Sequence, residues 1–173
     1  MTDLTPGTTG NRKKVLLFVL LVGGIIALDV VTKWKVQHAL PPYQPISVWG
    51  DFFRLTYIRN TGAAFGLHLG QYSRYVFLAL TVIALVVLIQ WYRTTPARNT
   101  IRLIAIALVT GGAVGNLVDR VRSARGVVDF LDFGFGMHRW PVFNVADMGV
   151  TVGAILLAIS LWREERRDAG NEA

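Results

Sequence analysis

The apolar run Tyr75–Tyr92 constrains the fold of this chain more than any other feature. Apart from the tyrosines at its ends, only Thr81 and Gln90 are polar, and no residue in the run is charged. Its length approaches the roughly 20 residues that a helix needs to cross a bilayer core. A segment in hydrocarbon must satisfy its own backbone hydrogen bonds, as a helix does. The run therefore predicts a transmembrane helix.

Three further apolar stretches accompany this run. Val15–Leu28 is uncharged and continues into Asp29–Lys33, Leu103–Val118 is interrupted by small residues, and Asn144–Trp162 follows later in the chain. Small residues inside a span allow a helix or a substrate backbone to approach closely. We predict an α-helical integral membrane protein with four transmembrane helices, at about residues 15–34, 74–92, 102–120 and 144–162.

The composition supports a membrane protein and excludes several kinds of chemistry. The chain is 53% hydrophobic and 17% charged, whereas soluble proteins are about 25% charged. It contains no cysteine, so disulfides, thiolate catalysis and zinc–thiolate sites are excluded. The net charge of +7 could indicate nucleic-acid binding, but the basic residues cluster at the ends of the apolar segments. We therefore expect no nucleic-acid partner.

The placement of the basic residues predicts the topology. Both tails and the loop after the second span are basic, which is typical of cytoplasmic segments. Both termini are then cytoplasmic, and residues 41–72 and 121–143 lie outside. Residues 1–11 are small and polar and are expected to form a disordered tail. We expect residues 1–173 to form a single membrane domain, without a cleaved signal peptide at the N-terminus.

The two outer segments differ in character from the spans. Pro41, Pro42 and Pro45 end the first helix, and Ile46–Tyr57 is rich in β-branched and aromatic residues. Such composition favours short strands. Gly126–Phe143 shows the same tendency. We predict a small extracytoplasmic β-rich platform whose aromatic residues lie at the membrane interface.

Two carboxylates at the outer boundary require a chemical explanation. Asp129 lies in an apolar V-V-D-F setting, and Asp147 lies at the start of the fourth span. A buried carboxylate is costly unless it is paired, neutralised or used. Two carboxylates held close together share one proton, so one can activate water while the other protonates a leaving group. The pattern is consistent with an aspartyl-type hydrolase.

Several polar residues are predicted to gather around this pair, and each also has a structural interpretation. Asp29 and Lys33 are spaced i,i+4 and can form an interfacial ion pair. Asp119 is more simply a structural partner of Arg120, Arg122 or the backbone, and Asp132 a solvated loop residue. Asn144 and Asp147 could serve only as a cap and a partner of the helix dipole. The predicted group is Asp29, Lys33, Asn60, Asn116, Asp119, Arg120, Asp129, Asn144 and Asp147.

Five short motifs in order resemble those of the lipoprotein signal peptidases, the type II signal peptidases of bacteria. They extend from Asp29 to the fourth span, and Val30 departs from the glutamine that many members carry after the first aspartate. The motifs are D-V-V-T-K (29–33), N-T-G-A-A-F-G (60–66), G-N-L-V-D-R (115–120), V-V-D-F (127–130) and F-N-V-A-D (143–147).

The resemblance implies an intramembrane aspartic peptidase whose catalytic residues are Asp129 and Asp147. Its substrates would be diacylglyceryl-modified prolipoproteins in the bacterial cytoplasmic (inner) membrane, cut just before the lipidated cysteine. Globomycin is expected to block the site, membrane lipids are expected to contact the protein, and neither metal nor cofactor is implied. The positions expected to support the site or contact substrate are Asp29, Lys33, Asn60, Gly112, Asn116, Arg120 and Asn144.

Three other functions are compatible with membrane-boundary aspartates. A metal-dependent lipid phosphotransferase would need several aspartates close together to hold Mg²⁺. A proton-coupled transporter would relay protons through Asp129 and Asp147. A membrane scaffold would tolerate Asp129→Asn. For the peptidase, we expect the connecting loop to carry Asp129 and to close over the substrate.

Overall fold

A computed structural model describes residues 6–62 and 70–171 of the chain. Residues 1–5 of the predicted tail, residues 63–66 of the N-T-G-A-A-F-G motif and residues 63–69 of the predicted outer segment lie outside this range. The elements in order are α1 (Pro6–Ala39), β1 (Pro45–Trp49), β2 (Phe53–Asn60), a short 3₁₀ turn (Gly70–Tyr72), α2 (Ser73–Thr94), α3 (Thr100–Arg122), β3 (Val127–Phe135), β4 (His138–Arg139) and α4 (Val145–Asn171).

Within the described residues, four helices are long and apolar enough to cross a membrane. Their candidate spans are Gly10–Ala39, Gly70–Thr94, Thr100–Arg122 and Val145–Arg167. This confirms the predicted fold class of four transmembrane helices with a small sheet. The helices extend beyond the predicted spans because polar residues at their ends continue the helix into the interface, where water can satisfy their side chains.

The predicted disordered tail is wrong for residues 6–11, which belong to α1. Pro6 occupies the first position of this helix, where its missing N–H has no cost. Helix nucleation is the expensive step, and the long apolar segment that follows already provides a nucleus. A polar composition alone therefore did not prevent the helix from extending toward the N-terminus.

Helix α3 is the most buried of the four, because it packs against the other three helices. Small residues bring it close to its neighbours. A Cβ on Gly111 would lie 2.9 Å from the Ile25 Cβ of α1. On the α4 side, a Cβ on Gly153 would lie 2.6 Å from a methyl group of Val109. Gly111, in the span where small residues predicted close approach, and Gly153, which was not part of that prediction, both serve helix–helix packing.

The strands form one antiparallel sheet in the order β1–β2–β3–β4. In the register of β2 and β3, Ile58 is opposite Asp129 and Arg54 is opposite Asp132. The sheet packs against the end of α1 through a cluster that includes Val36, Tyr57, Val128 and Phe130. This packing places β3 beside the ends of the helices.

Two expectations about the outer segment are wrong. Asp129 lies on strand β3 rather than in a connecting loop, because the alternating V-V-D-F-L-D-F sequence pairs with β2. Asp132 is also on β3, and it is buried rather than solvated. It accepts hydrogen bonds of 2.6 Å from Thr56 Oγ1 and from Arg139 Nε. A local pattern could not identify these partners, which lie on other strands.

The end of the bundle opposite the sheet is held together by basic side chains. Lys14 Nζ of α1 donates a 2.7 Å hydrogen bond to the carbonyl of Thr95, just after α2. Arg102 near the start of α3 forms an ion pair with Glu164 of α4. The two contacts show that the start of α1 and the distal part of α4 lie at this end, away from the sheet.

Candidate active site

A cavity of about 840 Å³ lies between the sheet and the ends of α3 and α4. Both predicted aspartates line it, together with Asn60, Asn116 and Arg120. The remaining lining residues are Ile58, Arg59, Thr61, Gly62, Val127, Trp140, Pro141, Val142, Phe143, Met148, Val150, Thr151 and Val152. The cavity therefore combines a small polar group with a largely apolar wall, which is typical of ligand sites.

Asp129 is buried on β3, with 2% of its surface exposed. Its Oδ1 accepts a 2.7 Å hydrogen bond from Asn144 Nδ2, and its Oδ2 accepts a 3.0 Å hydrogen bond from Asn60 Nδ2. Asn60 ends β2, and Asn144 immediately precedes α4. Three elements thus converge on one carboxyl group.

Asp147 lies in the first turn of α4, where an acidic side chain complements the helix dipole. Asn144 Oδ1 accepts a 3.0 Å hydrogen bond from the Asp147 backbone N–H, and Asp147 Oδ2 accepts a 3.1 Å hydrogen bond from the Asn144 backbone N–H. This reciprocal pair has the geometry of a capping box. The other oxygen, Oδ1, accepts a 2.8 Å hydrogen bond from Asn116 Nδ2.

The orientation of each asparagine amide follows from partners that can only donate. A backbone N–H donates to the side-chain oxygen of Asn60 (from Gly62, 3.0 Å) and of Asn144 (from Asp147, 3.0 Å). The Lys33 ammonium donates to Asn116 Oδ1 over 3.1 Å. The three NH₂ groups therefore face the carboxylates. Asn144 combines capping with a contact to the site, so the two predicted roles coexist.

Lys33 and Asp29 form the predicted i,i+4 ion pair, with 2.7 Å between Nζ and Oδ2. Both residues are buried at the end of α1, away from solvent. Lys33 also contacts Asp119 Oδ2 over 2.9 Å. Within the described residues, no arginine forms an ion pair with Asp119; its partners are Lys33 of another helix and, as one of the predicted alternatives, the backbone. Asp119 Oδ2 additionally accepts a 3.3 Å hydrogen bond from the Val128 backbone N–H.

Arg120 ends α3 and borders the cavity. Its guanidinium lies 5.7 Å from the centroid of the Phe77 ring and donates to the carbonyls of Asn116 (3.4 Å) and Gly62 (3.5 Å). The positive charge therefore lies beside the two carboxylates without being bound to either. It is available to attract an anionic group or to polarise a carbonyl.

Gly112 does not line the cavity. A Cβ at this position would lie 2.2 Å from the Ala146 carbonyl oxygen and 2.8 Å from a methyl group of Val150. The absence of a side chain allows α3 to contact the first turn of α4 directly. Gly112 thus sets how closely the helix that carries Asp147 approaches α3.

The surroundings of Asp129 favour its protonated form. Burial, followed by the nearby charge of Asp147, raises the pKa of Asp129 from 3.8 to about 7. The hydrogen bonds from Asn60 and Asn144, and the charge of Lys33, lower it in turn. Near neutral pH the pair can therefore hold one proton, as acid–base catalysis by two carboxylates requires.

The sequence pattern of the family described as Signal peptidase (SPase) II matches residues 21–163. This range includes both aspartates and nearly every element around the cavity. The chain belongs to the signal peptidase II family. It is therefore a multi-pass membrane peptidase of the aspartic type, as the sequence motifs predicted.

This chain matches its relatives in the signal peptidase II family over nearly their whole length. A lipoprotein signal peptidase of Halothermothrix orenii is 41% identical over 152 residues, covering 88% of this chain and 95% of the relative. A lipoprotein signal peptidase of Geobacter sulfurreducens is 41% identical over 155 residues, covering 88% and 96%.

Two solved structures share the architecture of this signal peptidase II family member. A bacterial membrane enzyme determined by the in meso method at 2.3 Å resolution is 33% identical, with a TM-score of 0.78 over 86% of this chain and 88% of that chain. A second, at 1.9 Å, is 32% identical, with a TM-score of 0.72 over 83% and 91%. The fold is thus shared with known membrane enzymes.

Family membership also decides among the alternative functions. No observation favours a transporter, a phosphotransferase or a scaffold over a signal peptidase. Within residues 6–62 and 70–171, no group of three or more histidine, cysteine, aspartate or glutamate residues is arranged to hold a metal ion.

Sequence patterns did not identify the apolar wall of the cavity. Val150, Thr151 and Val152 belong to an apolar span, so nothing in their local sequence distinguishes a cavity surface from a lipid-facing one. Trp140 lies in Gly126–Phe143, whose aromatic residues predicted only strands. The proline in the run W-P-V-F before Asn144 indicated a break between elements, but not that this segment lines a cavity.

Proposed function

We propose that this signal peptidase removes the signal peptide from diacylglyceryl-modified bacterial prolipoproteins by cutting just before the lipidated cysteine. Asp129 and Asp147 form the catalytic pair. The supporting observation is the arrangement of Asn60, Asn116 and Asn144, which hold both carboxyl groups in one cavity at the end of the helix bundle.

The hydrolysis uses one proton shared by the pair. With Asp129 protonated and Asp147 ionised, Asp147 removes a proton from a water molecule whose oxygen attacks the scissile carbonyl carbon. Asp129 transfers its proton to the carbonyl oxygen, and a tetrahedral diol forms. Collapse of the diol breaks the C–N bond, with one proton passing to the leaving amine and one returning to the pair.

The cavity wall is suited to a substrate that arrives within the membrane. Met148 and Val152 line the cavity and are also about half exposed on α4, at 48% each. The cavity therefore opens toward the side where lipid would lie. The apolar wall can accept acyl chains and signal-peptide side chains, and a globomycin-type cyclic peptide would compete for the same space.

We also propose the orientation of the protein in the cytoplasmic membrane. The bundle end away from the sheet carries Lys13, Lys14, Arg93, Arg98, Arg102, Arg163, Arg166 and Arg167. By the positive-inside rule this end faces the cytoplasm. Both termini are then cytoplasmic, and the sheet and active site lie on the outer face of a single membrane domain.

Cleavage of a purified diacylglyceryl-modified prolipoprotein tests the proposal. We expect Asp129→Asn and Asp147→Asn each to reduce kcat by about 100-fold or more, the usual range for general acid–base groups. The matched control is Asp51→Asn in the β1–β2 turn, where the side chain is 40% exposed; it should cleave like wild type. Full activity of either dyad variant would show that the pair is assigned wrongly.

A further inference from the structure

The Lys33 ammonium is buried, with 2% of the residue exposed, and meets three acceptors. They are Asp29 Oδ2 at 2.7 Å, Asp119 Oδ2 at 2.9 Å and Asn116 Oδ1 at 3.1 Å. A lysine ammonium has three N–H donors and no acceptor. The contact with Asn116 is a hydrogen bond and the other two are ion pairs, and together they join α1 to two positions on α3.

Two of these contacts continue to the residues immediately before the catalytic aspartates. Asp119 Oδ2 accepts a 3.3 Å hydrogen bond from the backbone N–H of Val128, which precedes Asp129. Asp29 Oδ1 accepts a 2.9 Å hydrogen bond from the backbone N–H of Ala146, which precedes Asp147. These two chains of contacts are the branches of the Lys33 network. In each branch the Lys33 ammonium pairs with a carboxylate, and that carboxylate accepts a hydrogen bond from the backbone next to a catalytic residue.

The third contact leads to a catalytic side chain through one intervening residue, Asn116. By accepting from Lys33, Asn116 Oδ1 leaves Nδ2 to donate to Asp147 Oδ1 over 2.8 Å. Asn144 Nδ2 also donates to Asn116 Oδ1 over 3.1 Å, so Lys33 and Asn144 together keep this oxygen turned away from the Asp147 carboxylate. Lys33 thus influences the backbone of both aspartates and the side-chain partner of one.

We propose that Lys33 is a positioning residue that sets the placement of Asp129 relative to Asp147 through these three acceptors. The inference rests on the proposed function of the pair. Lys33 contacts neither carboxylate, and it is absent from the cavity wall. Its effect on catalysis is therefore geometric. A displacement of about 1 Å within a catalytic group can cost 100-fold in rate.

The competing explanation is that Lys33 only neutralises Asp29 within the membrane. A buried ion pair can often be replaced by neutral residues without loss of stability, whereas removal of one partner is destabilising. The double variant Lys33→Met/Asp29→Asn separates the two explanations. The double variant leaves the net charge of Asp29, Lys33 and Asp119 unchanged and keeps an oxygen at position 29 that can accept from the Ala146 N–H. It removes the ammonium that joins the two branches.

The experiment measures thermal unfolding and cleavage of the prolipoprotein by Lys33→Met, the double variant and Lys35→Met. Lys35 is exposed on the same helix and provides the matched control. We expect Lys35→Met to match wild type. We expect the double variant to unfold within a few degrees of wild type, yet to show kcat reduced by about 100-fold with KM changed less than about 3-fold.

A pH profile measures the electrostatic effect of Lys33 on Asp129 separately from its geometric effect. The charged groups around Asp129 are Asp147 of α4, Asp119 and Arg120 of α3, and Lys33 of α1. A nearby cation favours the ionised carboxylate, so its removal raises the pKa of Asp129. In Lys33→Met, the alkaline limb of the residual activity should therefore move to higher pH.

The outcomes distinguish this inference from the proposed function. Activity in Asp129→Asn or Asp147→Asn would refute the catalytic pair itself. If those variants are inactive while the double variant recovers wild-type kcat, Lys33 only balances charge and the inference is overturned. If Lys33→Met does not fold, the double variant alone decides; if neither folds, Lys33 is a structural residue and the inference fails.

Discussion

Asn144 donates a 2.7 Å hydrogen bond from its side-chain amide to Asp129 Oδ1, which links the start of α4 to strand β3. Asn144 is completely buried, so no water can replace either partner. Because the same residue caps the helix that carries Asp147, it connects the two elements that carry the proposed catalytic pair. Its capping and linking functions can be separated experimentally.

Substitution of Asn144 should affect stability and activity differently. Asn144→Ala removes the cap and the link, so we expect a loss of about 0.5–2 kcal/mol in stability together with a loss of activity. Asn144→Ser keeps a good capping residue but is too short to donate to Asp129. Thermal unfolding should recover in the serine variant while cleavage stays low. Equal activity of the serine variant and wild type would contradict this role for the amide.

The activity should decline as pH rises through about 7. The raised pKa of Asp129, caused by burial and by the charge of Asp147, means that its proton is lost near this pH. The proposed mechanism requires that proton. We therefore expect kcat/KM for prolipoprotein cleavage to fall above about pH 7. A rate that stays constant to pH 9 would show that protonation of Asp129 is not required.

Thermal unfolding provides an independent check of the same titration. The pKa of Asp129 is higher in the folded protein than its ordinary value of 3.8, so folding is favoured while the carboxyl is protonated. This stabilisation is complete below about pH 3.8 and is lost as pH rises through about 7. Asp129→Asn cannot titrate. Its Tm relative to wild type should therefore rise between pH 5 and pH 8.

An alanine at Gly112 should disturb the packing of α3 against α4. Its Cβ would lie 2.2 Å from the Ala146 carbonyl oxygen, which belongs to backbone and cannot move aside without shifting α4. We expect Gly112→Ala to lower Tm by several degrees and to reduce cleavage. The matched control is Gly24→Ala in α1, where no atom lies within 4 Å of the added Cβ. A similar Tm for the two variants would argue against the close contact.

Cysteine labelling in intact cells can test the orientation, because the chain contains no native cysteine. Met137, between β3 and β4, is 96% exposed and lies on the proposed outer face. Arg98, in the loop between α2 and α3, is exposed on the proposed cytoplasmic face. A membrane-impermeant maleimide should label Met137→Cys but label Arg98→Cys only after lysis. The reverse pattern would invert the proposed topology.

The sequence by itself determined the elements whose causes are local. Long uncharged runs such as Tyr75–Tyr92 predict membrane helices because hydrocarbon excludes charges and unpaired backbone groups. The β-branched and aromatic residues of Ile46–Tyr57 predicted strands for the same kind of local reason. The i,i+4 spacing of Asp29 and Lys33 predicted their ion pair, since those positions share a helix face.

Only the tertiary structure decided how these elements meet. Asp129 was expected in a loop, but pairing with β2 places it on a strand, and its contact with Asn60 spans 69 positions. The contact of Lys33 with Asn116 spans 83 positions. Hydrophobic periodicity specifies which face of an element is buried, but not which polar atoms meet there. Those partners depend on how closely the helices pack and on the register of the strands, so the linkage between the two aspartates emerges only in the folded protein.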